Sequence, residues 1–477
     1  MSLENLKSLD LSNNSSLKTI NMKAIDKLLT SLNLSECTNL VCLPAEIGQL
    51  KLLTSLNLSG CRSLTLLVAD LGLLELLTSL ILNHCISLTY LPAEIGQLKL
   101  LSSLDLSSCY NITFLPAELG QLKLLTTLNL SYYVKLTCLP AELGQLSLLT
   151  SLDLSFCEKL TCLPAEIGQL RLLTTLKLNH CIKLTCLPAE IGRLSLLTSL
   201  DLNHCTELTC LPAEIGQLNV LTLFYLSACT KLTCLPAEIG QLNLLSSLDL
   251  RSCMALTCLP AEFGQLNLLT ELKLNGCSNL TWLPAEIGQL KLLDSLDLSH
   301  CSNLTCLPAE IGQLKSLDSL DLSWCVELTC LPAELGQLKL LEVLGLKNCY
   351  SLTYLPIEIG QLESLKALYL EYCDCLTHLP ISLVNLRNLK CFASRGCDLL
   401  HPDLIGRNVD IIHKTLLEHF LADVTPWSRS TSRSFNNLIT SVLLGINRSV
   451  TDFGIDPELL EETFTHFRKC DRCIYYE

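Results

Sequence analysis

The chain has 477 residues, and its 47 acidic and 33 basic side chains give a net charge of −14 at pH 7. This balance argues against the basic surface that nucleic-acid-binding proteins and polybasic membrane-surface proteins require. A length of 477 residues would suggest about three globular domains. This estimate of the domain count does not apply to a chain that grows by internal repetition.

A unit of 24 residues recurs along most of the chain. One copy, at Leu280–Asn303, reads LTWLPAEIGQLKLLDSLDLSHCSN. Proline returns at every 24th residue from Pro92 to Pro380, and the near-identical copies indicate repeated internal duplication. A fixed period of this length predicts a solenoid, in which each repeat contacts only its neighbours.

Each copy contains one predicted strand and one predicted helical turn. The leucines of L-x-x-L-x-L alternate with polar residues, as in a strand with one buried face. Pro284 suits a first helical position because it has no N–H to lose, and Gly288 limits the helix to a short α or 3₁₀ turn. Strands centred from Leu9 to Phe392 are expected to form one parallel sheet. This sheet lies on the concave side of a curved stack, because the outer segments are wider than strands.

These leucines, followed by C-x-x-L-T-x-L-P-x-x-I-G-x-L, resemble the leucine-rich-repeat family over residues 1–397, with about fifteen repeats of 24 residues. The repeats are most similar to those of plant intracellular TIR-type immune receptors and of soluble protist repeat proteins. The resemblance implies an α/β horseshoe that binds a ligand, without identifying that ligand. Nucleotide-binding, hydrolase and kinase signatures are missing from the sequence, so the ATP switch of the plant receptors does not carry over.

Cysteine occupies the position where many family members have asparagine, three residues after the last strand leucine. A small buried thiol can there donate to neighbouring backbone carbonyls. The amino terminus lacks the charged and apolar segments of a signal peptide, so we expect reduced thiols and a cytoplasmic location. This structural ladder comprises Cys61, Cys85, Cys109, Cys157, Cys181, Cys205, Cys229, Cys253, Cys277, Cys301, Cys325 and Cys349.

A second column of cysteines lies just before each Leu-Pro pair, where Tyr, Phe, Trp and His also occur. A position that accepts both thiol and indole is expected to be half-buried. A metal site is disfavoured there because no imidazole or carboxylate completes a ligand set. This column comprises Cys42, Cys138, Cys162, Cys186, Cys210, Cys234, Cys258, Cys306 and Cys330.

The two ends of the chain depart from the repeat. Residues 1–34 lack the polar cap of a terminal repeat, which indicates either a degenerate cap or a chain cut from a longer protein. Residues 398–425 are predicted to form a capping helix, and residues 426–477 a linker and helical tail. The tail ends in C-x-x-C, where Cys470 and Cys473 are weak zinc candidates because a second pair is missing. No cofactor is expected.

One apolar stretch, 64–82, is long enough to suggest a membrane span. Asp70 and Glu75 interrupt it, and its leucines follow the strand pattern of the repeat. No membrane insertion is therefore expected.

The concave face is the predicted binding surface. Outward strand residues form an acidic row, and a second column, just before the cysteine ladder, carries aromatic rings and histidines. Rings beside charges suit a protein interface, whereas the alternative is an ordinary solvated face. His180 and His204 lie close enough to share a metal ion, but isolated histidines are the commoner case. The predicted protein-binding residues are Asp105, Tyr132, Asp153, Phe156, His180, Asp201, His204, Tyr225, Asp249, Asp297, His300, Asp321, Trp324 and Tyr372.

The sequence therefore predicts a non-enzymatic recognition or scaffold protein of signal transduction, which binds a protein partner with a basic surface. One alternative is a substrate-recognition adaptor, in which residues 401–477 recruit an effector such as a ubiquitin ligase. Another is a ligand-sensing fragment of a larger immune-receptor-like protein. The oligomeric state stays open, because an uncapped first repeat could pair with a second copy.

Overall fold

The computed structural model describes residues 6–21 and 27–400. They belong to two compact units, Met1–Leu269 and Thr270–Glu477. Most of the predicted capping helix, the whole tail and the C-x-x-C motif lie outside the described residues.

The described residues contain seventeen strands of three residues each. Those of the first unit are β1 (Ser8–Asp10), β2 (Ser31–Asn33), β3 (Ser55–Asn57), β4 (Ser79–Ile81), β5 (Ser103–Asp105), β6 (Thr127–Asn129), β7 (Ser151–Asp153), β8 (Thr175–Lys177), β9 (Ser199–Asp201), β10 (Leu223–Tyr225) and β11 (Ser247–Asp249). Those of the second unit are β12 (Glu271–Lys273), β13 (Ser295–Asp297), β14 (Ser319–Asp321), β15 (Val343–Gly345), β16 (Ala367–Tyr369) and β17 (Cys391–Ala393).

Within each unit, every strand pairs in parallel with the next strand along the chain. Register follows the repeat: Leu152 of β7 lies opposite Leu176 of β8, and both leucines are buried. A slip of one residue would turn each middle leucine to solvent, so burial holds this register. The structure thus confirms the predicted parallel strands.

Each regular repeat also contains one 3₁₀ turn of five residues, as predicted. In the first unit the turns are Ala45–Gln49, Ala69–Leu73, Ala93–Gln97, Ala117–Gln121, Ala141–Gln145, Ala165–Gln169, Ala189–Arg193, Ala213–Gln217, Ala237–Gln241 and Ala261–Gln265. In the second unit they are Ala285–Gln289, Ala309–Gln313, Ala333–Gln337, Ile357–Gln361 and Ile381–Asn385.

Proline stands one residue earlier than the sequence suggested. Pro284 is the extended N-cap, with φ −65° and ψ 149°, and the turn begins at Ala285. Its fixed φ suits this extended conformation equally well. Its carbonyl oxygen accepts the first hydrogen bond of the turn, from the N–H of Ile287 at 3.0 Å.

The core consists mainly of leucines from the strands and turns, which are almost completely buried. Successive turns also pack closely, because each regular repeat places a glycine where they meet. A Cβ atom built on Gly168 would lie 2.4 Å from the carbonyl oxygen of Glu190 in the next turn. This approach is closer than two non-bonded atoms tolerate, so any larger residue must push the turns apart.

Gly168→Ala is expected to lower the free energy of unfolding by about 1–3 kcal/mol, because the added methyl group overpacks this contact. The measurement is chemical denaturation of the full chain. Gln169→Ala, at the exposed next position, is the control and should change stability by less than about 0.5 kcal/mol. Equal stability of the two variants would contradict the close packing of the turns.

Candidate protein-binding surface

The third residue of most strands turns a polar side chain away from the core. For Asp105, Asp153 and Asp297, the Oδ1 atom accepts a hydrogen bond from the backbone N–H two residues later, at 3.0, 2.9 and 2.9 Å. This is an Asx turn, in which the side chain closes the bend after the strand. The same bond is made by Asp10, Asn33, Asn57, Asn129, Asp201, Asp249 and Asp321. The acidic row therefore has a structural role that the sequence did not reveal.

Tyr225 shows what happens where the acceptor is missing. Its ring cannot accept the hydrogen bond, and Asn203 of the preceding repeat supplies Oδ1 to the N–H of Ser227 instead, at 2.8 Å. Tyr225 itself is half-buried at the end of β10. The neighbouring repeat thus supplies the acceptor for this turn, and the Tyr225 side chain lies on the sheet face without closing a turn.

Part of the predicted acidic charge is neutralised within the chain. The guanidinium of Arg251 lies 2.6 Å from Oδ2 of Asp249, whose side chain is 4% exposed. Lys177 lies 3.5 Å from Oδ2 of Asp153. Burial raises the pKa of Asp201. The carboxylates of Asp105, Asp297 and Asp321 have no ion pair among the described residues, and these three carry the acidic character best.

Asp297→Asn should retain the Asx turn, because an asparagine Oδ1 accepts the same bond at Asn33 and Asn57. Asp297→Ala removes the acceptor and should lower the free energy of unfolding by about 1 kcal/mol. Thermal or chemical unfolding of both variants measures this difference. If the two substitutions cost the same, the hydrogen bond to Ser299 does not stabilise the turn.

The residue before each ladder cysteine has a left-handed backbone, with φ between 55° and 80°. Its N–H continues the hydrogen bonds between repeats: that of His180 donates to the carbonyl oxygen of Asn203 at 2.7 Å. Glycine adopts this conformation without strain, and Gly60, Gly276 and Gly396 do so here. Other repeats place larger residues at the same turn position, namely Asn13, Glu36, His84, Ser108, Tyr132, Phe156, His180, His204, Ala228, Ser252, His300, Trp324, Asn348 and Tyr372.

Four of the predicted rings of the first unit, those of Tyr132, Phe156, His180 and His204, form one continuous stack. The ring centroids of Tyr132 and Phe156 are 4.3 Å apart, those of Phe156 and His180 are 4.2 Å apart, and those of His180 and His204 are 4.2 Å apart, with interplanar angles of 3°, 8° and 10°. Tyr110 closes one end edge-on at 6.4 Å. The sequence reading missed Tyr110, although an aromatic residue directly after a ladder cysteine was the available signal.

A shorter stack forms in the second unit. His300 and Trp324 lie parallel with their centroids 5.4 Å apart, and Tyr350 meets Trp324 edge-on at 6.3 Å. Tyr350 repeats the signal of Tyr110, since it directly follows Cys349. The ring of Tyr372 covers Gly396, where a Cβ atom would lie 2.4 Å from Cδ1 of the tyrosine. We call these two groups of rings, with Tyr372, the ring columns.

Two neighbouring histidines of the first unit stack on each other. His180 and His204 lie face to face, so their ring nitrogens lie in nearly parallel planes instead of converging on a point. No group of three or more His, Cys, Asp or Glu side chains suited to a metal ion occurs among the described residues. The metal candidates Cys470 and Cys473 lie outside that part of the chain.

Stacking also affects protonation. Burial, and then the neighbouring His204, lower the pKa of His180, while the carboxylates of Asp201 and Glu158 oppose this shift. The folded state therefore takes up this proton at lower pH than the unfolded state, whose histidines titrate near pH 6.5. Because the unfolded state binds more protons in this window, stability falls as the pH drops below about 6.5.

His180→Phe keeps a flat ring in the stack and removes the titrating group. We expect its melting temperature to fall less than that of the wild type between about pH 7 and pH 5. His84→Phe is the control, because His84 has the same backbone conformation but no ring neighbour in the described range. A parallel fall in the melting temperatures of the wild type and both variants would contradict this account.

The ladder cysteines lie behind these turns, in the core. The Sγ atom of Cys181 lies 3.2 Å from the carbonyl oxygen of Leu154 in the preceding repeat. Burial raises the pKa of Cys109 and Cys229 to about 12, so these thiols stay protonated and can donate. Equivalent contacts of 3.1–3.4 Å are made by Cys61, Cys85, Cys109, Cys157, Cys205, Cys229, Cys253, Cys301, Cys325 and Cys349, and Cys277 is buried at the same position.

Comparison with solved structures identifies the family. A leucine-rich-repeat protein of Leptospira interrogans is 33% identical, with the match covering 83% of this chain and 92% of that one at a TM-score of 0.54. Toll, solved in the Toll–Spätzle complex of Drosophila, is 20% identical over 81% of this chain and 53% of that one, with a TM-score of 0.57, and this likeness concerns the fold alone. The chain belongs to the leucine-rich-repeat family.

Two other comparisons find no match, neither to a protein-family model nor to a curated protein. Within residues 6–21 and 27–400, no helix is long and apolar enough to cross a membrane.

Proposed function

We propose that the chain is a non-enzymatic recognition protein, which binds a protein partner with a basic surface through its ring columns and the adjacent carboxylates. The observation that carries the proposal is the stack from Tyr132 to His204, whose rings lie in contact at the surface. Tyr132 is 39% exposed and Trp324 is 40% exposed. Rings of this kind supply the central contacts of many protein interfaces.

The backbone supports this reading. A left-handed conformation costs a residue other than glycine about 1–2 kcal/mol, and a bulky side chain there is unusual. Glycine fills the same turn position elsewhere in the chain, so the fold does not require a ring at that point. Strained positions of this kind cluster at functional sites. Stacking with the neighbouring rings offsets part of the cost, at about 0.5–1.5 kcal/mol per aromatic pair.

The unpaired carboxylates decide the proposed character of the partner. Asp105 and Asp297 lie on the sheet face beside the turns that carry the rings, and Oδ1 of each closes its Asx turn without an ion pair among the described residues. A basic partner surface would be attracted to them before contact. Rings then provide the buried anchors, so the two features act at different stages of binding.

Toll is matched in complex with a protein, Spätzle, which agrees with recognition of a protein partner by this fold. We place the protein in cytoplasmic signal transduction, supported by the free thiols of all cysteines in the described part. We also propose that the repeats are related to those of plant intracellular TIR-type immune receptors.

Removal of the rings should abolish binding without loss of the fold. The first-unit variant carries Tyr132→Ala with Phe156→Ala, and the second-unit variant carries Trp324→Ala with Tyr372→Ala. Each lost anchor should weaken binding by about 1–3 kcal/mol. The measurement is affinity capture from cell lysate by wild type and variants of matched melting temperature, followed by titration of the captured protein.

Matched controls instead remove exposed rings that lie just before a Leu-Pro pair, in line with the thiols at Cys138 and Cys162. They are Tyr90→Ala with Phe114→Ala and Trp282→Ala with Tyr354→Ala, at positions 40–57% exposed. A partner lost by a ring-column variant and kept by its control supports the proposal. A partner kept by all variants contradicts it and favours the adaptor alternative, in which residues 401–477 bind the effector.

The charge contribution can be tested separately. Asp105→Asn with Asp297→Asn removes two charges and keeps both Asx turns. We expect the association rate of the captured partner to fall and to depend less on salt, with little change in dissociation rate. A variant that associates at the wild-type rate would show that the partner does not use these carboxylates.

A further inference from the structure

A row of thiols lies in the first unit, apart from the ring columns. We call it the thiol column, and it has one member in each of six consecutive repeats. The sequence predicted half-buried thiols here, but the first five members are exposed and only the sixth is half-buried; all are free thiols. Its members are Cys138, Cys162, Cys186, Cys210, Cys234 and Cys258.

Backbone hydrogen bonds set the spacing of this column. The threonine before each cysteine donates its N–H to the carbonyl oxygen of the equivalent threonine one repeat earlier, as Thr185 does to Thr161 at 3.3 Å. The four other such bonds along the column measure 3.2–3.4 Å, compared with 2.8 Å for the bond from Leu154 to Lys177 beside the strands. Neighbouring backbones are therefore separated by the ~4.8 Å of a parallel sheet or slightly more.

The thiols also share one orientation. In all six repeats the Sγ atom lies 3.8–3.9 Å from the Oγ1 atom of the preceding threonine. Because the backbones repeat in register and the side chains adopt the same geometry, successive thiols stand side by side. Their separation therefore equals the repeat spacing, at roughly 5 Å.

This spacing disfavours a disulfide and suits a bridging ion. A disulfide needs Cβ atoms about 3.5–4.5 Å apart, so two parallel neighbours would have to be drawn together. Two metal–thiolate bonds of about 2.3 Å in a straight line span about 4.6 Å, which is close to the distance between adjacent rungs. Soft thiolates favour both Cu(I) and zinc. A structural zinc ion needs four ligands, and a single row of thiols cannot place four around one ion.

We propose that adjacent thiols of this column bind Cu(I) in two-coordinate sites, in which two consecutive thiols hold one ion and share it with no other pair. Two S–H groups each release a proton to solvent, two Cu–S bonds form, and copper keeps its oxidation state. The absence of any group of three or more metal-ligating side chains in the described part agrees with a site that needs only two. Six consecutive rungs hold up to three ions, and this activity does not depend on the protein-binding function.

Two variants test whether adjacency matters, with the same number of thiols in each. Both carry Cys210→Ser and Cys258→Ser. The adjacent variant adds Cys234→Ser and keeps three neighbouring rungs. The alternate variant adds Cys162→Ser and keeps three thiols that are each separated by one repeat without a thiol. Both variants are made in the full chain and also carry Cys306→Ser and Cys470→Ser. These substitutions remove one thiol from each of two other pairs, Cys306–Cys330 and Cys470–Cys473, which could otherwise bind Cu(I).

The probe is Cu(I), supplied without oxygen as its acetonitrile complex and titrated against bicinchoninate. We expect the adjacent variant to bind one Cu(I) on the order of 100-fold more tightly than the alternate variant, because the second thiolate is already in place. X-ray absorption should show two sulfur neighbours per copper in the adjacent variant, and two protons should be released for each ion.

Melting temperatures of the two apo variants control for folding, and they should agree because both replace three thiols of the same column. Equal Cu(I) affinity of the two variants would overturn the proposal, since independent thiols would then account for the binding. Copper with three or four sulfur neighbours would overturn the two-coordinate site. Failure of both variants to compete with bicinchoninate would overturn it as well.

Discussion

Parallel pairing of one repeat with the next is the interaction on which the other features depend. Each strand has only three residues, so a single repeat cannot bury its leucines, and stability comes from stacking neighbours in register. The same register continues beyond the strands, through the left-handed turns and the Leu-Thr-Cys segments. Residues at the same repeat position therefore lie next to one another in neighbouring repeats.

This repetition converts single residues into columns with distinct properties. A ring such as Phe156 stacks on both of its neighbours, while a buried thiol such as Cys181 donates back to the preceding repeat. An exposed thiol such as Cys186 stands beside two others. Which property a column acquires depends on the local backbone: the left-handed turn carries the rings at the surface, and the next residue turns into the core.

The acidic row illustrates how structure and function share a residue. Asp297 uses one oxygen to close its own turn, and its carboxylate has no ion pair among the described residues. Asparagine makes the same bond at Asn57, so the fold needs the acceptor and does not need the charge. The negative charge is therefore not needed for the turn and can serve recognition. A row of aspartates in the sequence does not distinguish the turn-closing role from the recognition role.

The amino-acid sequence by itself determined the repeat, the strand positions, the buried leucines and the short turns, because period and polarity report which residues face the core. The sequence pattern predicted Pro284 at the first helical position, whereas Pro284 is the extended N-cap before the turn. The fixed φ of proline fits both positions, so the pattern could not distinguish them. Only the tertiary structure decided that Tyr110 closes the ring stack, that Asp105 holds a turn, and that Gly168 admits the next turn. Such contacts join residues about one repeat apart or depend on a backbone angle, and neither quantity appears in the pattern of apolar and polar residues.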